Sequence, residues 1–390
     1  MRVLCIDIEG GHGGSSKSLF SALASMNRSD CEVEVICQRH SQIVEEYYSL
    51  GIRCEVWPKM PKLTALNNWF VNLFCFPIFY FYTFPKTKKS RLELLKKSQS
   101  FDLLHANHIS LTPLLVWLKK NNPKLKIITH IRTNPKKSVF SRFQASSCLK
   151  ASDDLIFITE NELATFRNLS DRKVTGHVIY NSVRGFDIKS SAHPFIAADG
   201  RLKIVSLSNF SQARGVDRLL DVAKTLPSDM RSRVLFVVVG DMSEGGLQSH
   251  LPWRRPFQDR VRSSEFSDMF VFTGHLSDPT TVLHNSDLLF KLTRENNPWG
   301  RDILEALSCG LPVVSIGSFD KFVKTGETGL LQNEYSPEAI AKWLKDLASD
   351  QSKLVQMSKN AKRTAEKVCS AELSSNKVKA VWQDLVASSK

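Results

Sequence analysis

No Cys-x-x-Cys pair occurs among the eight cysteines of this chain, which are scattered from Cys5 to Cys369. With Cys5, Cys37 and Cys309 in or beside apolar runs, they read as buried free thiols of a reducing compartment, not as a disulfide frame. A cleavable signal pattern is also missing. Residues 1–8 read instead as the start of a first strand, which predicts a chain that is not secreted. His105, His108 and His130 fall at the ends of strand-like runs, yet no His-x-x-x-His spacing or carboxylate companion accompanies them, so no metal is expected. The phosphate-binding loop is incomplete. Gly10-Gly11-His12-Gly13-Gly14-Ser15-Ser16-Lys17-Ser18 begins as one at Gly11, but Ser16 stands where the second glycine belongs. No recognition-helix or base-stacking signature accompanies the positive charge, which argues against specific nucleic-acid binding and leaves at most a weak, salt-sensitive one.

What is present describes a globular protein of two domains: 390 residues, 42% hydrophobic and 24% charged. The net charge of +14 is uneven. Residues 1–190 hold 27 Lys and Arg against 16 Asp and Glu, whereas residues 191–390 hold 26 against 23. A basic half predicts an acidic partner surface, either nucleic acid or anionic lipid. Short β-branched runs alternate with helical stretches, the pattern of parallel sheets. Strands are expected over 2–9, 31–38, 53–57, 103–107, 126–132, 154–159 and 177–182. A linker follows at 185–201, then strands over 203–208, 234–241, 270–274, 288–292 and 312–316. Residues 336–388 read as helical, broken near Asp350 and Ser370. The predicted fold class is α/β, with two Rossmann-like doubly wound domains, 1–184 and 202–369, facing a cleft. Residues 370–390 are expected to form a helix that returns toward the first domain. Open parallel sheets bind ligands at the carboxyl ends of their strands, so both domains should aim functional loops there.

The most informative segment is 294–314. A polar loop, Arg294-Glu295-Asn296-Asn297-Pro298-Trp299, leads into a helix at Gly300 that ends near Gly310, and a buried strand follows. Glu305 lies on that helix amid apolar neighbours, a costly place for a carboxylate unless it accepts specific hydrogen bonds. A ribose diol is a natural partner; a salt bridge is the other reading.

Here the chain resembles glycosyltransferase family 4 and its GT-B relatives. The family signature has two glutamates eight positions apart, Pro-aromatic-Gly after the first and Ala-x-x-x-Gly-x-Pro-Val after the second. Asn297, Pro298, Trp299, Gly300, Glu305, Ala306, Gly310, Pro312 and Val313 occupy those places. Further fragments match in the same order: Gly13-Gly14, Phe101-Asp102-Leu103-Leu104-His105, His130, Ile179-Tyr180-Asn181-Ser182-Val183, Val237-Val238-Val239-Gly240, Phe272-Thr273-Gly274-His275-Leu276, and Thr325-Gly326-Glu327-Thr328-Gly329-Leu330-Leu331. The resemblance spans about the whole chain.

It implies retaining transfer of a sugar from a nucleotide-diphosphate donor without an essential metal or other cofactor. By the same resemblance, Glu305 would bind the ribose and the turn of Gly274, His275 and Leu276 the base. The N–H groups after Asn297, with Trp299, Gly300 and Arg301, would hold the donor sugar. Gly14 would approach the diphosphate, and His130 would contact the transferred sugar. Two positions depart from the family. Asn297 replaces the first glutamate, and the diphosphate clamp reads Asn209 and Arg214 where an arginine and a lysine are usual. Asn209 supplies no charge, so Arg214 carries the clamp.

Residues 67–85 form the other unusual segment. It is apolar and rich in aromatics, near spanning length but interrupted by Asn72 and Pro77, and Lys86, Lys88, Lys89, Arg91, Lys96 and Lys97 follow. A spanning helix would part the first domain's strands across a bilayer. Trp69, Phe70, Phe74, Phe79, Tyr80 and Phe84 beside Lys86, Lys88 and Lys89 therefore predict a peripheral contact with an anionic membrane, at its cytoplasmic face. A buried helix with a solvated basic end is the alternative. The combined expectation is a retaining glycosyltransferase of polysaccharide, lipopolysaccharide or capsule type, acting on a glycan or lipid-linked acceptor. Two alternatives stand beside it: a degenerate GT-B domain that serves as a binding module, suggested by Asn209 and Asn297, and a phosphotransferase built on the loop around Lys17.

Overall fold

Runs of Val, Ile, Leu and Phe become the central strands, and where helices cover both faces every residue of a strand is buried. Val234–Val239 is the clearest case, with all six residues enclosed. The computed structural model describes residues 1–390 except 9–12, 66–68, 135–136, 184–195, 197–198, 208–211, 241–253, 277–278 and 389–390, and except the side chains of 212 and 254–256. Contacts divide the chain into two units, Met1–Ser182 with Ala371–Lys390, and Val183–Ser370.

In the first unit β1 (Arg2–Asp7), β2 (Glu32–Cys37), β3 (Arg53–Val56), β4 (Leu103–Ala106), β5 (Lys126–Ile131), β6 (Asp154–Phe157) and β7 (His177–Val178) form one parallel sheet. Its order is β3-β2-β1-β4-β5-β6-β7. Alternate residues serve opposite layers: Val3 and Cys5 pack with Leu19, Leu23 and Trp382, while Leu4 and Ile6 pack with Leu111, Leu114 and Leu118. The last helix, Ala371–Ala387, lies against the first, Gly14–Ala24, and Lys379 Nζ reaches Asn27 O at 2.8 Å.

The second unit repeats the plan with β8 (Leu202–Leu207), β9 (Val234–Val239), β10 (Phe270–Gly274), β11 (Leu288–Lys291), β12 (Val313–Ile316) and β13 (Gly329–Gln332). All pairs are parallel, in the order β10-β9-β8-β11-β12-β13. In each sheet the first strand is central and the winding reverses beside it, between β1 and β4 and between β8 and β11. The crevice for a ligand belongs at the carboxyl side of those two junctions.

Several strands end sooner than the sequence suggests. The run at 177–182 pairs only over His177–Val178, because Asn181 and Ser182 turn their side chains to Arg132 and to the Ser18 carbonyl. The segment 325–331, which carries Gly326 and Gly329, turns and then enters β13 with its last residues. Gly329 makes this possible, since a Cβ there would lie 1.9 Å from the Val313 carbonyl oxygen. The helices Pro337–Ser349, Gln351–Cys369 and Ala371–Ala387 meet at Asp350 and Ser370, as the composition implied.

Candidate functional site

At the β8–β11 junction two loops are bolted together. Arg294 forms a two-pronged pair with Asp217 at 2.7 Å on each prong, and its N–H donates to the Ala213 carbonyl at 2.7 Å. Arg218 NH1 returns to the carbonyls of Leu292 and Thr293 at 3.0 and 2.9 Å. Gly215, at φ +68°, lets the first loop approach so closely that a Cβ would sit 1.9 Å from Leu292 O. The result is a fixed perch for Arg214, whose side chain is exposed.

Lys291 ends β11 and is buried. Its ammonium donates to the Trp299 carbonyl at 2.6 Å and to Asp302 Oδ1 at 2.8 Å. Burial lowers its pKa, Asp302 raises it, and the nearby Arg214 cation lowers it further. Two cations therefore gather at the sheet edge, against the start of the helix Arg301–Ser308. Gly300 caps that helix at φ +140°, and a Cβ on it would meet Lys291 Nζ at 2.6 Å. The positive end of the helix dipole thus adds to the cations, an arrangement suited to a phosphate-bearing ligand. Just before it, Asn296 takes the left-handed conformation at φ 52°, and Asn297 Nδ2 donates to Glu295 Oε2 at 3.2 Å.

The predicted donor residues are only partly brought together. Arg214, Asn297, Trp299, Gly300, Arg301 and Glu305 share the β8–β11 edge. Glu305 is salt-bridged to Arg301 at 2.7 Å, one turn away on the same helix. Gly274, His275 and Leu276 lie at the end of β10, the outer strand of the sheet. Asn209 falls outside the described residues. Gly14 starts the first helix and is exposed, in the other unit. Ser16 turns inward to Asp7 at 2.5 Å, so its hydroxyl is committed to the core.

Among the described residues, the first unit's edge carries the His105, His108 and His130 rings and the Arg132 guanidinium, with the Asp7 carboxylate behind them. His130 is 4% exposed and His105 wholly buried, with ring centres 5.6 Å apart. Burial, reinforced by Arg132, pushes His105 down to about 3 and His108 to about 4; His130 is likewise held well below its ordinary range. Sequence reasoning missed Lys291, Asp302, Arg132, Asn107 and Trp382. Only Lys291 carried a local signal, a cation inside an apolar strand. Among the described residues no cluster of three His, Cys, Asp or Glu side chains is placed to hold a metal ion.

The aromatic segment is helical over Trp69–Ile78, widens into a π-turn over Phe79–Thr83 and continues through Phe84–Lys86. One stripe is buried: Asn72, Phe76 and Phe79, with Phe76 against Phe140 at 4.7 Å. Trp69, Phe70, Leu73, Phe74, Ile78, Phe81 and Tyr82 are exposed, Phe81 by 85%. The expected patch needs correction at both ends. Phe79 is core and Phe84 half-buried, because they close the small cluster under the helix. Arg91 is buried against the rings of Phe84 and Trp117, and Lys97 pairs with Glu34 and Glu55, so neither belongs to a surface cationic cluster. Lys86, Lys88 and Lys89 are exposed. Among the described residues no helix is long and apolar enough to cross a membrane.

Each unit is a doubly wound parallel sheet, the two-domain architecture of the GT-B fold, and comparison with known proteins finds glycosyltransferases that resemble this chain. Residues 189–364 match the family model described as "Glycosyl transferases group 1". The chain is 18% identical over 332 residues to N-acetyl-alpha-D-glucosaminyl L-malate synthase of Bacillus anthracis, covering 81% of this chain and 83% of that one. It is 22% identical over 316 residues to the putative glycosyltransferase YtcC of Bacillus subtilis, covering 74% of each. Among solved structures, HepE of Anabaena in complex with UDP and glucose superposes with a TM-score of 0.77 at 17% identity, over 98% of this chain and 100% of that one.

Proposed function

We propose that this chain is a retaining glycosyltransferase that takes a sugar from a nucleotide-diphosphate donor. The acceptor is a glycan or lipid-linked intermediate at an anionic membrane face on the cytoplasmic side. The observation that carries the donor assignment is the β8–β11 edge, where Arg214, Lys291 and the Gly300-capped helix start converge inside the region that matches the family. The leaving diphosphate gains negative charge in the transition state, and fixed cations and N–H dipoles stabilise it without a metal. Glu305, released from Arg301, accepts from the ribose; Gly274, His275 and Leu276 line the base. HepE, which shares the fold, was solved with UDP-glucose, in keeping with a donor of this class.

The membrane part rests on the helical run at 69–86. A helix that is apolar all round but buries one narrow stripe is suited to a non-aqueous neighbour on its remaining faces. The exposed lysines beside it favour anionic headgroups.

A panel of nucleotide-diphosphate sugars tests the donor assignment by thermal shift, since a ligand of the native state alone raises the melting temperature. Turnover of the binding sugar with an added acceptor, followed by NMR of the anomeric proton, should show retained configuration and should survive a chelator. Binding without turnover of any member would favour the degenerate binding module instead. Hydrolysis of ATP abolished by Lys17→Ala would favour a phosphotransferase.

A further inference from the structure

At the first unit's edge a chain of hydrogen bonds fixes the state of one imidazole. The Asp7 carboxylate, at the end of β1, accepts from Ser16 Oγ at 2.5 Å and from Asn107 Nδ2 at 3.0 Å. A carboxylate offers only acceptors, so the Asn107 amide must present its nitrogen there and its Oδ1 on the other side. That oxygen accepts Nε of Arg132 at 2.7 Å. NH1 of the same guanidinium donates to Asn181 Oδ1 at 2.6 Å, and NH2 reaches His130 Nδ1 at 3.2 Å. A guanidinium has no acceptor, so Nδ1 of His130 accepts and the ring proton sits on Nε2. Nε2 is buried and has no partner among the described residues. His105 on the adjacent β4 repeats the device: Trp382 of the last helix donates its indole N–H to His105 Nδ1 at 2.9 Å. Partner chemistry, and not ring orientation alone, decides both tautomers.

A buried donor left unsatisfied costs free energy, and such groups persist where a ligand completes them. His130 lines a cavity with His105, Arg132, Asn181 and Ser182. We propose that Arg132 is a positioning residue for sugar transfer: it holds His130 as a neutral Nε2–H donor for an oxygen of the transferred sugar, so His130 gives a hydrogen bond and never removes the acceptor's proton. This rests on the glycosyltransferase reading above. The groups that face the ring are Arg132 just past the end of its own strand, His105 on β4, His108 in the loop that follows and Asp7 on β1 through Asn107. Burial and the Arg132 cation both disfavour an imidazolium there.

The test uses the full chain labelled with 15N at histidine, read by long-range proton–nitrogen correlation, with His130→Gln to assign the signal. Wild type should show the neutral Nε2–H pattern for His130 at pH about 6 to 8. A Nδ1–H pattern or an imidazolium in wild type overturns the proposal, whatever the variants do. Arg132→Met should release the tautomer and lower kcat about tenfold to a hundredfold with donor KM little changed, as the loss of a charge-assisted hydrogen bond implies. Arg132→Lys, which retains one donor, should recover part of both. The Arg132→Met/His130→Ala double variant should be no slower than His130→Ala, because Arg132 acts through that ring. Additive losses would overturn the positioning role. If Arg132→Met does not fold, wild type and Arg132→Lys decide the matter. Absent transfer with every nucleotide-sugar, alongside the expected tautomer pattern, would refute the enzyme reading and leave the relay standing.

Discussion

The two units share one strand order and differ in the chemistry at the same edge. At the β8–β11 junction the second unit concentrates positive charge: Arg214 exposed on a pinned loop, Lys291 buried on Asp302, and a glycine-capped helix start. At the β1–β4 junction and the neighbouring β5 the first unit presents imidazoles kept neutral by burial, with Arg132 tied to Asn107, Asn181 and His130. The topology therefore determines where a ligand sits, and the loops determine what kind. Cations suit a diphosphate; neutral donors suit hydroxyls, which carry no charge to meet. The first unit also carries an apolar helix that buries only one stripe, with the exposed Lys86, Lys88 and Lys89 at its end.

The largest effect expected from breaking this contrast is at Lys291. Lys291→Met keeps the bulk but strands Asp302 and the Trp299 carbonyl in a largely buried site, at a cost of about 3 kcal/mol, the lower end for a broken buried pair because Asp302 keeps some solvent. Urea denaturation should show it as a lower midpoint with unchanged slope. A change under about 0.5 kcal/mol, the scale of an ordinary surface substitution, would mean that the pair holds nothing together. Next in size, replacing Lys86, Lys88 and Lys89 by Ser should weaken co-sedimentation with anionic vesicles by about 1 kcal/mol per cation at low salt. Trp69 and Phe70 to Ser should remove the fraction that survives high salt, because apolar burial is not screened. Wild-type protein that ignores vesicles would end the membrane assignment and leave the donor site untouched.

Glu305→Gln should cost about 1.5–3 kcal/mol in donor affinity, the worth of a charge-assisted hydrogen bond, measured by calorimetry. Unchanged affinity with the fold intact would leave Glu305 as the salt-bridge partner of Arg301 alone. The smallest effect per step is pH. His105, His108 and His130 have folded pKa values below their unfolded value of about 6.5, so the unfolded chain takes protons first. Their stabilisation is complete above pH 6.5 or so and is lost as pH falls toward 4, by up to about 1.4 kcal/mol per histidine per pH unit. Hydrogen exchange at pH about 7 and about 5, corrected for intrinsic rates, should show β4 and β5 losing protection ahead of β9 and β11. Equal losses in both sheets would contradict the contrast.

At the second unit's edge the loop and helix of 294–308 were legible in the sequence because their parts are close along the chain, while the Lys291–Asp302 pair within it was not. Asn297, Gly300 and Glu305 lie on one loop and helix, so spacing in sequence becomes spacing in space. The first unit's relay joins Asp7 to Asn107 across 100 positions and Trp382 to His105 across 277, and no local pattern announces such pairings. Alternation of strands and helices predicted both sheets, but β13 hid inside a glycine turn, since Gly329 reads as a breaker until the Val313 carbonyl is seen against it. In the aromatic segment the composition gave the apolarity. Only packing against Phe140 reveals which stripe is core.

Calorimetric titration of UDP into wild type, Arg214→Ala and His130→Ala tests the central division of labour most directly. UDP carries a diphosphate and no sugar, so as a probe it reads the charge chemistry alone. The account predicts that Arg214→Ala weakens UDP binding about tenfold to a hundredfold, as the loss of a charged contact implies, while His130→Ala binds as wild type does. Equal weakening in both variants, or loss confined to His130→Ala, would contradict it.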